Sequence, residues 1–367
     1  MSLSISVKNL LKRNFPKLES FPSRYKVGKS DLLKGLSQCD PISPEQREMI
    51  LAFWKPYLNS FWTRKAFDIR WFDIYNYTNL FGWDLRYYIP DSFYYCIIDT
   101  LFSDASRTRV LDDKNLYDLY FHDVLQPKTI CRVNSGVFMD ADYNVINEEK
   151  AISLCMENGK VIVKPSLNAC AGAGIKKWDV STSSCKEELR QILSSASSLI
   201  VQDFVQQHRM LSQFTNTCVN TLRLVTLFFG GEVHVCNAVI IMGGVNAVTN
   251  HLHSGGIVCG IMPSGRLMPV AFDGALNKYD KHPNGIVFSD CIIPNYSECL
   301  ALVKRLAPRF AESSRLINWD LTIDVSGKPL LIETNLSFGG SVQIAGGPAF
   351  GDLTPEILDY VNRHSNF

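Results

Sequence analysis

The spacing of apolar positions changes along the chain and divides it into three stretches. Near the start, Val7, Leu10, Leu11 and Phe15 recur at helical spacing among basic residues, which predicts an amphipathic helix. Residues 53–95 are crowded with aromatic side chains, Phe53, Trp54, Tyr57, Phe61, Trp62, Phe67, Trp71, Phe72, Tyr75 and Tyr77 among them. Large rings at this density usually form core, although such a run also suits the wall of a sugar or nucleotide site. Pro90-Asp91 opens another short helix over 92–101, so 1–105 reads as a mostly helical region.

From 106 the pattern alternates. Helices are predicted over 111–121, 151–157 and 186–195, with apolar strands over 160–165 and 199–205. The strand, loop, strand, helix, strand succession resembles a small lid and closes a second unit, 106–205. The remainder, 206–367, is strand-rich, with a helix over 297–314 and a last one after Thr354. Residues 233–265 carry no Asp, Glu, Lys or Arg, but do carry His234, Asn237, Asn246, Asn250, His251 and His253. A bilayer would have to solvate all of these polar groups, so buried strands are expected instead of a membrane span. The fold class is α+β.

Composition narrows the function. The 367 residues are 46% hydrophobic and 20% charged, which fits a folded chain of two or three domains. Lys plus Arg is 37 and Asp plus Glu is 36, a net charge of +1 that gives no global field for a nucleic-acid partner. Eleven scattered cysteines without a CxxC pair point to a reducing cytoplasm and away from a disulfide framework or structural zinc. The first residues lack the apolar core of a signal peptide. Eight Lys or Arg stand among residues 1–34, either as a solvated helix face or as a weak peripheral contact with the anionic inner face of a membrane.

The richest segment is Ile317 to Asn335, two alternating runs around Ser326-Gly327. A two-residue hairpin turn there sets Asp320 opposite Glu333, with Asn335 on the face of Glu333. Like charges in register repel. Two carboxylates and an amide carbonyl are hard oxygens suited to Mg²⁺, and the alternative is a solvated face with Arg or Lys partners. A three-residue turn would reverse the parity.

Lys164 ends the apolar run Val161-Ile162-Val163, where a cation loses hydration and needs an anion. The loop after it holds Gly172 and Gly174, whose backbone N–H groups suit a phosphate. No Walker A or Rossmann glycine pattern is present. Arg223, among apolar neighbours in a strand over 218–225, is either a structural ion pair or a fork for a phosphoryl or carboxylate group. His251-x-His253 lacks a nearby third ligand for zinc.

In order, Asp113-Lys114, Val163-Lys164-Pro165 with its glycine loop, Val201-Gln202-Asp203-Phe204-Val205, Asn220-Thr221-x-Arg223, Trp319-Asp320 and Glu333-Thr334-Asn335 resemble the ATP-grasp superfamily. Tyr88-Ile89-Pro90, His282-Pro283-x-Gly285 and Gln343 make the sugar-transfer-associated branch the most similar. The resemblance implies two α+β subdomains gripping ATP. It implies that Lys114 and Lys164 hold phosphates, that Gly172 and Gly174 close over them, and that Gln202, Asp203 and Val205 bind adenine, with His208 near the ribose. Asp320, Glu333 and Asn335 would hold one or two Mg²⁺ ions, and Arg223 with Lys164 would serve catalysis. Asn220, Lys278, His282 and Gln343 are candidates for the acceptor. The implied activity joins a small carboxylate to an amine, free or sugar-linked, during capsule or other surface polysaccharide assembly. A phosphotransferase acting on a sugar hydroxyl and a non-catalytic partner of glycosyltransferases are the alternatives.

Overall fold

The computed structural model describes residues 16–104, 107–167, 174–179, 185–195, 197–247, 249–336 and 341–364. The apolar set Val7 to Phe15 lies outside these residues, but a helix spans Pro16–Gly35. Among the described residues no helix is long and apolar enough to cross a membrane.

Two antiparallel sheets carry the fold. The first holds β1 (Thr129–Asn134), β2 (Val137–Asp140), β3 (Val145–Ile146), β4 (Lys160–Pro165), β5 (Lys176–Asp179) and β6 (Ser198–Asp203), in the order β3-β2-β1-β6-β4-β5. Alternation along its strands separates two faces. Val161, Val163, Leu199 and Val201 join Cys131 and Val133 in a core with the helices Glu148–Asn158 and Cys185–Ser195. Ile162, Lys164 and Gln202 point the other way, into a cavity. The helix predicted over 151–157 starts earlier because the Asn147 side chain accepts from Lys150 N and caps it. The strand predicted to run to Val205 stops at Asp203, whose Oδ1 accepts from Phe204 N at 2.7 Å and from Asn158 Nδ2 at 3.1 Å.

The second sheet holds β7 (Thr221–Phe229), β8 (Glu232–Met242), β9 (Ile257–Ile261), β10 (Leu267–Asp273), β11 (Lys278–Tyr279), β12 (Leu316–Ile323) and β13 (Pro329–Asn335), in the order β11-β10-β9-β8-β7-β12-β13. The charge-free stretch thus supplies most of β8 and all of β9. One face of the sheet packs on the helix Tyr296–Leu306 through Leu222, Leu224, Ile240 and Cys259. The other face shares a core with the N-terminal aromatics. Trp54, Phe72, Tyr75, Tyr88 and Phe93 are fully buried and cluster with Val225, Val239, Val258 and the last helix, Thr354–His364. The described residues of the N-terminal region, from 16 on, therefore form the second layer of this sheet. The helical run 91–102 that closes the layer contains a π-helical turn at Tyr94–Ile98.

The helix expected over 111–121 is broken. Helical turns at Arg109–Asp112 and Tyr117–Tyr120 flank a 3-10 turn, Lys114–Leu116. Asp113 is extended and its side chain caps Asn115 N, which interrupts the helix and turns Lys114 inward.

Candidate active site

The acidic hairpin has the expected pairing for an unexpected reason. Its turn contains three residues, Val325 to Gly327, closed by Asp324 N donating to Lys328 O at 3.0 Å, with Gly327 at φ +85°. Near the turn, Ile323 therefore pairs with Pro329 and Leu321 with Leu331, the opposite parity to a two-residue turn. A bulge at Ile332 then inserts one residue into β13, and Asp320 pairs with Glu333 after all. The bulge also brings Ile332 and Glu333 together into the cavity wall.

The row extends across the sheet. Arg223 of β7 pairs in register with Asp320, so Arg223, Asp320 and Glu333 lie side by side on three strands. Arg223 grips Asp320 with two bonds, Nε to Oδ1 at 2.7 Å and Nη2 to Oδ2 at 2.6 Å. Asn335 Nδ2 donates to Asp320 Oδ2 at 2.9 Å, although its own strand partner is Asn318. Lys114 Nζ lies 3.1 Å from Glu333 Oε2. The acids are thus neutralised from both ends, and neither lies on a solvated face: Asp320 is 4% exposed and Glu333 half-buried.

Burial and charge pull these groups in different directions. Burial lifts the Asp320 carboxyl above its ordinary range although Arg223 opposes the rise, and the neighbouring Glu333 charge adds to it. Burial pushes Glu333 the same way, but Lys114 and Lys164 outweigh it and hold Glu333 below the usual value. Burial acts on Lys114 too, yet Glu333 keeps it protonated and raises it. Lys164 has no ion-pair partner among the described residues. Burial, followed by the Lys114 charge, pushes it down to about 8. It is a buried cation facing a cavity without an anion of its own.

That cavity lies between the two sheets. Its walls include Lys114, Ile162, Lys164 and Lys177 on one side and Thr221, Asp320, Ile332 and Glu333 on the other. At its far end stand Gln202, Asp203, Phe204 and Val205. Gln202 donates to Pro127 O at 3.3 Å, but its Oε1 is buried with no partner among the described residues, an acceptor left for an exocyclic amine. Lys177 Nζ sits 4.2 Å from the centroid of the Phe204 ring. Lys177 follows from the sheet register, since it pairs with Ile162, which pairs with Gln202. The alternation of β4 and β5 was the only sequence signal for it.

Other expected residues stand elsewhere. Gly172 lies outside the described residues. Gly174 has φ +78°, and a Cβ there would meet Pro165 Cγ at 2.9 Å, so the chain re-enters the sheet against the proline beside Lys164. His208 is not in the cavity wall; its Nδ1 accepts from Met210 N and caps a short helix. Three acceptor candidates are occupied by structural bonds. Asn220 is buried, with Nδ2 directed at Gln207, Leu211 and Thr215 and Oδ1 accepting from Gly243 N. His282 is buried between Gly243 O and Asn284 N. Gln343 ties the two layers together, accepting from Ile89 N and Ala349 N and donating to Ile89 O and Tyr75 Oη. Lys278 is exposed at a sheet edge, 3.9 Å over the Tyr77 ring.

Two sheets closing on a cation-rimmed cavity, with an acid row on one wall and an unpaired lysine on the other, define the ATP-grasp class. Residues 100–357 match the model of the sugar-transfer-associated ATP-grasp family, and the chain belongs to that family. ATP-grasp enzymes generally use ATP and Mg²⁺. No curated protein matches the chain. Among solved structures, D-cycloserine synthetase DcsG is 15% identical over 71% of this chain and 73% of its own, with a TM-score of 0.42. D-alanyl-alanine synthetase A from Vibrio cholerae O1 biovar eltor is 12% identical over 71% and 66%, with a TM-score of 0.43. An L-amino acid ligase from Bacillus licheniformis is 14% identical over 67% and 47%, with a TM-score of 0.38. The chain spans less than two thirds of the latter two, and likenesses of this size carry no argument about activity.

The residues present fit Mg²⁺ in kind. Asp320, Glu333 and Asn335 offer hard oxygens from adjacent strands, now covered by Arg223 and Lys114. Among the described residues no cluster of three His, Cys, Asp or Glu competes for a metal.

Proposed function

We propose that the protein is an ATP- and Mg²⁺-dependent carboxylate–amine ligase that works through an acyl phosphate. Its product would be an amide on a sugar or amino-acid substrate used in cell-surface polysaccharide assembly, in keeping with the sugar-transfer association of the family. The observation that carries the reading is the pair Asp320 and Glu333, with Arg223 bonded to Asp320, in one cavity with Lys114 and Lys164.

Each residue has a part in this chemistry. Lys114 and Lys164 would hold phosphate oxygens of ATP, and the unpaired Lys164 gains the anion that its burial lacks. Gln202, Asp203 and Val205 would bind the adenine edge. Asp320, Glu333 and Asn335 would hold Mg²⁺, which would supply positive charge against the phosphates. Arg223, held in plane by Asp320, would face the carboxylate that receives the γ-phosphoryl group. Carboxylates are poor electrophiles. Phosphoryl transfer makes the carbonyl attackable, and an amine then displaces phosphate. Positioning and charge neutralisation are most of what such a transfer asks of a protein.

The test is calorimetry with Mg-ATP, followed by coupled detection of ADP. ADP release is expected only when carboxylate and amine are both supplied, and Glu333→Gln should lower it by about 10²–10³-fold or more. Full activity in that variant would remove the metal assignment. A stable phosphorylated product without phosphate release would support the phosphotransferase instead.

A further inference from the structure

Arg223 is also part of a second cavity, of about 290 Å³, on the side of the N-terminal helices. Its floor includes Trp71, Ile74, Asp91 and Tyr95, and its rim includes Asp31 and Leu276. The ion pair of Arg223 with Asp320 divides the two cavities, since Asp320 lines the first and Arg223 the second.

Three acids line this second cavity, and two of them are engaged. Asp31 is 3.4 Å from Lys34, and Asp273 accepts from Ala275 N, Asn277 and Tyr279 Oη. Asp91 is 2% exposed and has no cation partner among the described residues. Its Oδ1 accepts from Tyr75 Oη at 3.1 Å and Gln343 Nε2 at 3.4 Å, and no bond of the described residues reaches Oδ2. A buried carboxylate costs several kcal/mol unless a cation or hydrogen bonds compensate it. Trp71, 3% exposed, adds an indole Nε1 that is buried without a partner among the described residues. A carboxylate oxygen and an indole donor without partners among the described residues, on two residues that line one cavity, suit a ligand with an ammonium and a neighbouring oxygen. The π-helical turn beside Asp91, a feature frequent at functional sites, sets Tyr95 into the same wall.

We propose that this cavity receives the acceptor amine, with Asp91 binding its ammonium group and taking its proton, and Trp71 Nε1 donating to an oxygen of the same molecule. The proposal rests on the ligase reading. The proton balance is complete. R–NH₃⁺ gives one proton to the Asp91 carboxylate, and the free amine attacks the acyl phosphate carbon beyond Arg223. The C–N bond forms, the C–O bond to phosphate breaks, and the second amine proton leaves with phosphate as HPO₄²⁻. Burial, with Asp31 adding to it against the Tyr75 hydrogen bond, places Asp91 at about 7, where a base of this kind works best near neutral pH. The other charged or titratable groups facing it are Asp31 and Lys34 from the first helix, Tyr75, Tyr95, Arg223, His251 and Asp273.

The test follows the Asp91 carboxyl by NMR in protein labelled with ¹³C-aspartate, its resonance identified by its loss in Asp91→Asn. In 0.2 M methylammonium the midpoint should fall by about one pH unit relative to 0.2 M sodium, the shift for a Kd of about 20 mM. Identical midpoints in the two salts overturn the proposal. Asp91→Asn should bind Mg-ATP as the wild type does, which shows that the variant is folded. If neither protein binds Mg-ATP the ligase reading fails, while the methylammonium shift still reports on the cavity.

Discussion

The two cavities on either side of the Arg223–Asp320 pair are charged in opposite ways. In the first, Asp320 and Glu333 each have a cation at 3.1 Å or closer, and the buried charge left over is Lys164. In the second, the surplus group is a carboxyl, Asp91. Both surplus groups are buried, so each is costly until its ligand arrives. The contrast assigns an anion to one cavity and a cation to the other, with Arg223 where the two would meet.

The comparison breaks most visibly if the acids are removed. Asp320→Asn leaves Arg223 buried without its carboxylate and should destabilise the protein by about 3–5 kcal/mol in chemical denaturation. Asp91→Asn should act in the other direction. Its carboxyl is raised to about 7 in the folded chain, so the wild type loses stability as pH rises from the unfolded value to 7. The variant should match the wild type near pH 3 and exceed it by roughly 2–4 kcal/mol at pH 8, since Asn keeps the oxygen that accepts from Tyr75. A loss of stability there would show that the charged form of Asp91 is compensated and would end the contrast.

The smallest effect belongs to Lys164. Its value of about 8 means that it is charged below pH 8 and neutral above. Phosphate binds the charged form, so Mg-ATP affinity should fall by up to about tenfold between pH 8 and 9, with proton uptake on binding. Calorimetry in two buffers of different ionisation enthalpy measures that uptake. A pH-independent affinity over this range would mean that Lys164 does not meet the phosphates.

Much of the first cavity was legible in the sequence, because it is built from local patterns. An apolar run closing on Lys164 pointed to a buried cation, and the facing acids of the hairpin followed from two strand runs. Even so, Asp320 meets Glu333 only because the bulge at Ile332 undoes the parity of a three-residue turn. The partners of the acids were not legible. Arg223 and Lys114 lie 97 and 219 residues before them, and nothing in spacing reveals that distance closing. The acceptor candidates meet the same limit. Asn220, His282 and Gln343 are polar residues among apolar ones, a pattern shared by ligand sites and by buried hydrogen-bond nodes, and here all three are nodes.

By itself, then, the sequence determined the α+β class, most of the strands and helices, the family and the residue types that line the first cavity. Periodicity and short motifs are properties of neighbours along the chain. Tertiary structure alone decided which charges are compensated. It set Arg223 against Asp320, left Lys164 and Asp91 without ion-pair partners among the described residues, and made the aromatic N-terminal region the wall of a second cavity. Compensation depends on distance and burial, and both arise only when segments far apart in the chain pack together.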